Sequence, residues 1–140
     1  MLQAILTLNY IAAFVVAIVG FMLGWLWYSP VLFAKPWMAE MKITPEAIKA
    51  AKYNMARLFA TGLLCTFVST IGLGVIINAC HTANPLKGAA VGLFIGMTIV
   101  GARFKNGSLW EGKSAKLQAI TIGHEIALFT VQGAILALWH

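Results

Sequence analysis

The stretch Gly20-Phe21-Met22-Leu23-Gly24-Trp25-Leu26-Trp27-Tyr28-Ser29-Pro30 decides the fold, because a long apolar run ends here and the sequence changes character. Tryptophan and tyrosine concentrate where hydrocarbon meets lipid headgroups, since their rings are apolar and their N–H and O–H groups bind water. Pro30 cannot continue a helix, and it disfavours helical geometry at Ser29. We interpret the stretch as the membrane exit of a first spanning helix.

The composition indicates a membrane protein rather than a soluble one. Of the 140 residues, 61% are hydrophobic and only 10% are charged, whereas a soluble domain has about 25% charged residues. A net charge of +6 would favour nucleic acid as the partner of a soluble protein. Here the basic residues lie between apolar runs, so we expect the lipid bilayer as the partner and no nucleic acid.

Four runs are long enough to span a bilayer, which takes about 20 apolar residues. They cover about residues 5–28, 58–80, 86–102 and 117–139. The sequence therefore predicts an all-α polytopic membrane protein, with residues 1–140 forming one domain of four transmembrane helices.

The basic residues predict the orientation of these helices. Five Lys and Arg residues lie in the connection 29–57 and four in the connection 103–116, whereas the opposite side has only Lys87. By the positive-inside rule both basic connections are cytoplasmic, and both termini lie outside the cytoplasm. The lysines of the first connection are either ordinary positive-inside anchors or attract anionic headgroups, at about 1 kcal/mol each.

Each predicted span has a row of small residues at helical spacing. The rows are Ala13, Ala17, Gly20 and Gly24; Gly62, Cys65, Ser69 and Gly72; Gly88, Gly92 and Gly96; and Ala119, Gly123, Ala127 and Ala134. Small residues let helix backbones approach closely in lipid. We therefore expect a closely packed bundle, with Gly20, Gly24, Gly88, Gly92, Gly96 and Gly123 at helix contacts.

The connections have a local structure of their own. The segment 31–41 mixes aromatic and methionine side chains with charges, which is typical of a short interfacial segment. Thr44-Pro45-Glu46 predicts a helix start that runs on into the second span. The segment 105–114 reads as a polar loop.

The end of the first span also carries a motif. Its residues are Gly24, Trp27, Tyr28, Ser29, Pro30 and Phe33, followed by Lys35 and Trp37. With His124 in the last span and the ending GAILALW at 133–139, this motif resembles an uncharacterised bacterial membrane family, catalogued as domain of unknown function seventeen sixty-one. Gly123 stands where that family leads us to expect an aromatic residue, and His140 extends past the usual end.

The resemblance covers essentially the whole chain. It implies a four-span fold in the inner membrane of a bacterium, but no activity, ligand or mechanism. The polar residues of the chain are therefore the remaining indication of its function.

The fourth span holds the most informative polar residues. His124 and Glu125 lie about a dozen ångströms inside it by helical rise. Gln118, Thr121, Glu125 and Gln132 share one face, with His124 at its edge. His124 is the candidate partner of Glu125 that lies nearest in sequence, but successive helical residues point about 100° apart, so the pairing could instead need another helix or subunit. Arg103, from the end of the third span, is a second candidate partner.

Three roles for His124 and Glu125 stay open. They form a buried hydrogen-bonded clasp that fixes helix register, a proton-relay or polar-substrate site in a small permeation protein, or a site where His124 ligates a haem or a chlorophyll. A carboxylate at membrane depth faces the bundle interior or a wet cavity in each case. We expect no cofactor, since a bis-histidine haem would need two chains.

Other chemistry has little support in the sequence. Cys80, His81 and the terminal His140 could gather on one membrane face as thiolate and imidazole ligands for copper or zinc, but no metal-ligand spacing links them, and we expect no metal. No phosphate-binding, nucleophile-elbow or complete H-E-x-x-H signature occurs. We expect a non-enzymatic protein that acts by helix association, as a homo-oligomer or as an accessory subunit of a membrane complex. The alternative is a small channel or proton-linked transporter that uses His124, Glu125 and Gln132.

Overall fold

Four long helices dominate the computed structural model, which describes residues 1–50 and 54–139. The helices long and apolar enough to cross a membrane are Tyr10–Trp27, Met55–Ala79, Pro85–Trp110 and Ala115–Leu136. Every regular element in these described ranges is helical. The prediction of an all-α fold with four spans is confirmed.

The first span is shorter than the predicted run 5–28. A short helix, α1 (Leu2–Leu6), precedes the spanning helix α2 (Tyr10–Trp27). Between them the Thr7 hydroxyl donates to the Gln3 carbonyl oxygen, and the Asn9 side chain accepts from the Ala12 N–H. Such local bonds from threonine and asparagine compete with a continuous helix, so the apolar composition overestimated the helix length.

The first connection contains two short helices, α3 (Ala34–Met41) and α4 (Pro45–Ala50). The prediction that the helix at Pro45 runs on into the second span is wrong. Residues 51–53 lie outside the described part of the chain, but Asn54 is extended and its side chain accepts from the Arg57 N–H. Asn54 thus caps a new helix, α5 (Met55–Ala79).

A short turn joins α5 to the third spanning helix. His81 has a positive φ of 49°, which reverses the chain after the end of α5. The Asn84 side chain then accepts from the N–H groups of Leu86 and Lys87, and Pro85 occupies the first turn of α6 (Pro85–Ile95). This is the asparagine cap and first-turn proline expected of a helix start.

The third span is longer than the predicted run 86–102, and the predicted polar loop 105–114 is mostly wrong. After α6, a π-helical segment (Gly96–Gly101) leads directly into α7 (Ala102–Trp110). Helix α7 ends at Trp110, and the chain turns at Gly112, which has a φ of 64°. There the Gly112 N–H bonds to the Leu109 oxygen and the Lys113 N–H to the Ser108 oxygen, as in a Schellman ending.

The last helix, α8 (Ala115–Leu136), lies at the centre of the bundle. It contacts α2, α5, α6 and the π-helical segment. Along one side, Gly88 faces the Gly133 carbonyl oxygen, Gly92 faces the Phe129 carbonyl oxygen, and Gly96 lies beside Ile126. We call these contacts the glycine seam: the backbones of the third span and α8 touch because no side chain separates them.

The sequence predicted that the small-residue row of α5 packs inside the bundle, but most of this row does not. Gly62 faces Phe21 of α2, but Cys65 is exposed and Gly72 has no neighbouring atom within 4 Å. The buried side of α5 is instead carried by Thr70, Leu73, Gly74 and Ile77. Cys65 and Gly72 therefore lie on the outer surface, whereas Gly62 faces α2.

We predict that Gly92→Ala destabilises the protein by about 1–3 kcal/mol, the usual cost of overpacking. A Cβ atom at this position would overlap the Phe129 carbonyl oxygen and lie 3.1 Å from the Thr130 Cα, both backbone atoms that cannot rotate away. The measurement is equilibrium unfolding in mixed micelles.

The matched control is Gly72→Ala, where an added Cβ meets no atom within 4 Å. This change should be neutral or stabilising by up to about 1 kcal/mol, because alanine favours helix over glycine. Equal effects of the two substitutions would contradict the glycine seam.

Candidate functional site

His124 and Glu125 bond to each other in the middle of α8. The Nδ1 atom of His124 lies 3.1 Å from the Glu125 Oε1 atom, and both side chains are mostly buried. Of the candidate partners of Glu125, the structure pairs it with His124, the nearest in sequence, and not with Arg103. Both side chains are long enough to bridge the 100° between neighbouring helical positions.

The first span surrounds this pair on one side. The imidazole of His124 lies between the rings of Trp27 and Tyr28, at centroid distances of 6.0 and 5.2 Å. The phenol of Tyr28 also lies beside the side chains of Thr121 and Glu125. Thr121, His124 and Glu125 are therefore brought together, with Tyr28 as an additional member.

Aromatic side chains at the end of the first span pack against other parts of the protein. The Trp27 indole N–H donates to the Ile120 carbonyl oxygen of α8 at 3.1 Å. The ring of Trp27 lies 4.7 Å from Phe33, and Tyr28 lies 5.5 Å from Trp37. These contacts hold the first connection against α8.

Two members of the motif differ from this pattern. Trp25 is 73% exposed, so it occupies the outer surface where a lipid-facing tryptophan was predicted. Ser29 is buried and its hydroxyl has no hydrogen-bond partner among the described residues. Pro30 follows at the surface.

Gln132 forms a separate polar contact deeper in the bundle. Its side chain is fully buried, and the amide nitrogen donates to the Thr70 hydroxyl of α5 at 2.8 Å. Gly20 of α2 makes room for this amide, since a Cβ there would overlap the Gln132 nitrogen. The sequence indicated Gln132 and Gly20 but missed Thr70, because nothing in the spacing of α5 distinguishes it from its apolar neighbours.

Gln118 and Arg103 lie apart from His124. The Gln118 side chain accepts from the Lys105 ammonium group and donates to the Lys113 carbonyl oxygen, which ties α7 to the start of α8. Arg103 is exposed and lines a shallow surface recess with Glu111. The predicted pairing of Arg103 with Glu125 is not present, because α7 carries Arg103 on its outer side.

The remaining predicted residues take different places. Gly24 lies against the His124 imidazole and Gly123 against the Trp27 ring, so both occupy helix contacts. Cys80 and His81 are exposed at the turn after α5, and His140 lies outside the described residues. Within the described ranges, no cluster of three or more His, Cys, Asp or Glu side chains could hold a metal ion.

A cavity of about 460 Å³ opens beside His124, between α2, α5 and α8. The sequence did not predict it. Its wall residues are Gly20, Phe21, Gly24, Trp25, Tyr28, Ser29, Pro30, Phe59, Gly62, Thr66, His124 and Leu128. The glycines are the one signal that could have indicated it, since they remove side chains from facing helices.

We predict that Thr70 and Gln132 couple energetically across the bundle. In a double-mutant cycle with Thr70→Val and Gln132→Leu, the first change leaves the buried Gln132 amide nitrogen without its acceptor. The second removes the donor to the Thr70 hydroxyl, which keeps its own bond to the Thr66 carbonyl oxygen. The double variant should therefore lose less stability than the sum of the two, with a coupling energy of about 0.6–1.7 kcal/mol, as for other hydrogen bonds between membrane helices.

Thr98 supplies the control for this cycle, because its hydroxyl donates to the Phe94 carbonyl within its own helix. Thr98→Val combined with Gln132→Leu should be additive. Additivity in the Thr70 cycle as well would contradict the interhelical bond.

Comparison with known proteins assigns the sequence to a family. Residues 11–137 match the family described as Protein of unknown function (DUF1761), and this range extends from the first spanning helix to the last. No curated protein and no solved structure matches the chain. Because the match covers most of the sequence, the chain belongs to this membrane protein family of unknown function.

Proposed function

We propose that the protein is a non-enzymatic membrane protein that acts by helix–helix association, as a homo-oligomer or as an accessory subunit of a larger complex. The observation that carries the proposal is the outward-facing row of small residues on α5. Cys65 is exposed in this row, and the surface over Gly72 is open. The setting we propose is a bacterial inner membrane, with both termini outside the cytoplasm.

The physical reason is the way in which helices associate in lipid. Lipid tails are as apolar as leucine, so association depends on close van der Waals packing, which small residues permit. The glycines of α6 already contact α8 within the chain. Cys65 and Gly72 lie on the exposed side of α5, where a Cβ added at Gly72 meets no described atom within 4 Å, and a second copy could approach the α5 backbone closely there.

The alternative of a channel or a proton-linked transporter has less support. Its predicted residues make separate contacts: Gln132 bonds to Thr70, and Gln118 bonds to Lys105. His124 bonds to Glu125 beside a cavity whose wall is mainly glycine, aromatic and aliphatic. Permeation would be favoured by a connected row of polar groups, and these contacts do not form one.

Disulfide trapping in lipid vesicles tests the proposal. In a Cys80→Ser background, mild oxidation should link Cys65 to Cys65 of a second copy, because a symmetric α5 interface brings the two residues together. Adding Gly72→Leu should weaken association about tenfold, since loss of close packing of about 1.4 kcal/mol corresponds to that factor.

The control carries Cys65→Ser, Cys80→Ser and Leu64→Cys. Leu64 is 60% exposed and points about 100° away from Cys65 on the helix, so it should cross-link poorly. Equal cross-linking at both positions would indicate random collision. A monomer in mild detergent that retains no other membrane protein would contradict association altogether.

A further inference from the structure

The cavity beside His124 has the shape of a ligand site that opens toward lipid. Its volume of about 460 Å³ falls in the range of small-molecule pockets. Trp25 forms part of its wall and is 73% exposed, which places the opening on the outer surface of the bundle. A molecule dissolved in the bilayer could enter there without crossing water.

Two polar groups in this wall have no hydrogen-bond partner among the described residues. They are the Nε2 atom of His124 and the hydroxyl of Ser29, and both atoms are buried. Buried polar atoms are nearly always hydrogen-bonded, so an orphaned one calls for an explanation. Because both belong to one cavity wall, a polar group of a ligand would satisfy them.

Gly24 lies directly against the buried histidine nitrogen. A Cβ atom at this position would lie 3.1 Å from the His124 Nε2 atom, which is closer than ordinary van der Waals contact. Glycine weakens a helix by about 1 kcal/mol relative to alanine. The chain thus has a glycine where alanine would crowd Nε2.

The residues of the cavity wall indicate which polar group the ligand carries. The Nδ1 atom of His124 lies 3.1 Å from the Glu125 carboxylate, which when ionised has only hydrogen-bond acceptors, so we assign the N–H to Nδ1. In a neutral imidazole, Nε2 is then a hydrogen-bond acceptor. No Lys, Arg, Asp or Glu lies in the described wall, and a charged ligand would remain without a counter-charge there.

We propose that this cavity binds a membrane-soluble phenol or quinol. The ligand hydroxyl donates to His124 Nε2 and lies near the Ser29 hydroxyl at the polar part of the wall. The ring packs among Phe21, Phe59 and Leu128, since aromatic rings favour offset or edge contacts with one another. A hydrocarbon tail leaves the cavity beside Trp25 and enters the lipid.

A matched pair of ligands tests the proposal on the unaltered protein. The probes are 4-octylphenol and 4-octylanisole, which share the ring and the tail, but the ether lacks the O–H donor. We expect the phenol to bind about tenfold more tightly, as one buried hydrogen bond of about 1.4 kcal/mol provides. The measurement is calorimetric titration of protein in lipid nanodiscs, with empty nanodiscs subtracted for partitioning.

Substitutions identify the atom responsible. His124→Leu should abolish the preference for phenol over anisole, and Ser29→Ala should reduce it. Gly24→Ala provides a second route to the same atom, because it leaves the histidine in place and crowds Nε2. Gly107→Ala is the control, since an added Cβ there meets no atom within 4 Å, and it should bind both probes as the unaltered protein does.

Each outcome supports or overturns the proposal. A phenol preference that disappears with His124→Leu and with Gly24→Ala supports it. Equal binding of the two probes would show that the cavity takes only hydrocarbon, and a preference that survives both substitutions would place the phenol elsewhere. ¹⁵N-histidine spectra give an independent readout, since the Nε2 resonance of His124 should shift with 4-octylphenol and not with 4-octylanisole.

Discussion

The structure depends on direct backbone contact between the third span and α8. At Gly88 and Gly92, the third helix meets carbonyl oxygens of α8, and Gly133 gives the reciprocal space on the other side. In lipid no hydrophobic force drives two helices together, so close packing has to supply the association energy. This contact fixes α8 in the centre, where it becomes the surface against which α2 and α5 pack.

A central α8 explains how the chain uses its few polar groups at membrane depth. Gln132 reaches Thr70 of α5, and the Ile120 carbonyl accepts from the Trp27 indole of α2. Each contact joins α8 to a different helix. His124 differs from them, because its Nδ1 atom is bonded within α8, while its buried Nε2 atom has no hydrogen-bond partner among the described residues and belongs to the wall of a cavity. Polar contacts thus hold α8 to two helices, while one polar atom of α8 stays unpaired.

The lengths of the apolar runs predicted the number of spans, because the thickness of a bilayer sets how many apolar residues a spanning helix needs. They could not predict which row of small residues lies inside, since a helix pattern shows that residues share a face and not what that face meets. The rows of α5 and α6 have the same pattern of small residues in the sequence, although Gly72 of α5 faces outward. The choice among His124, another helix and Arg103 as the partner of Glu125 stayed open because helical angles describe Cβ directions and not the reach of long side chains. The π-helical segment at Gly96–Gly101 depends on tertiary packing that no local signal reports.

The most direct measurement of the glycine seam is the proximity of α-protons across it, by NMR of selectively labelled protein in lipid nanodiscs. A Cβ atom at Gly133 would lie 3.2 Å from the Gly92 Cα, so the α-protons of these two glycines should give a strong nuclear Overhauser cross-peak. Cross-peaks from Gly133 to lipid acyl chains, with none to Gly88 or Gly92, would contradict the account.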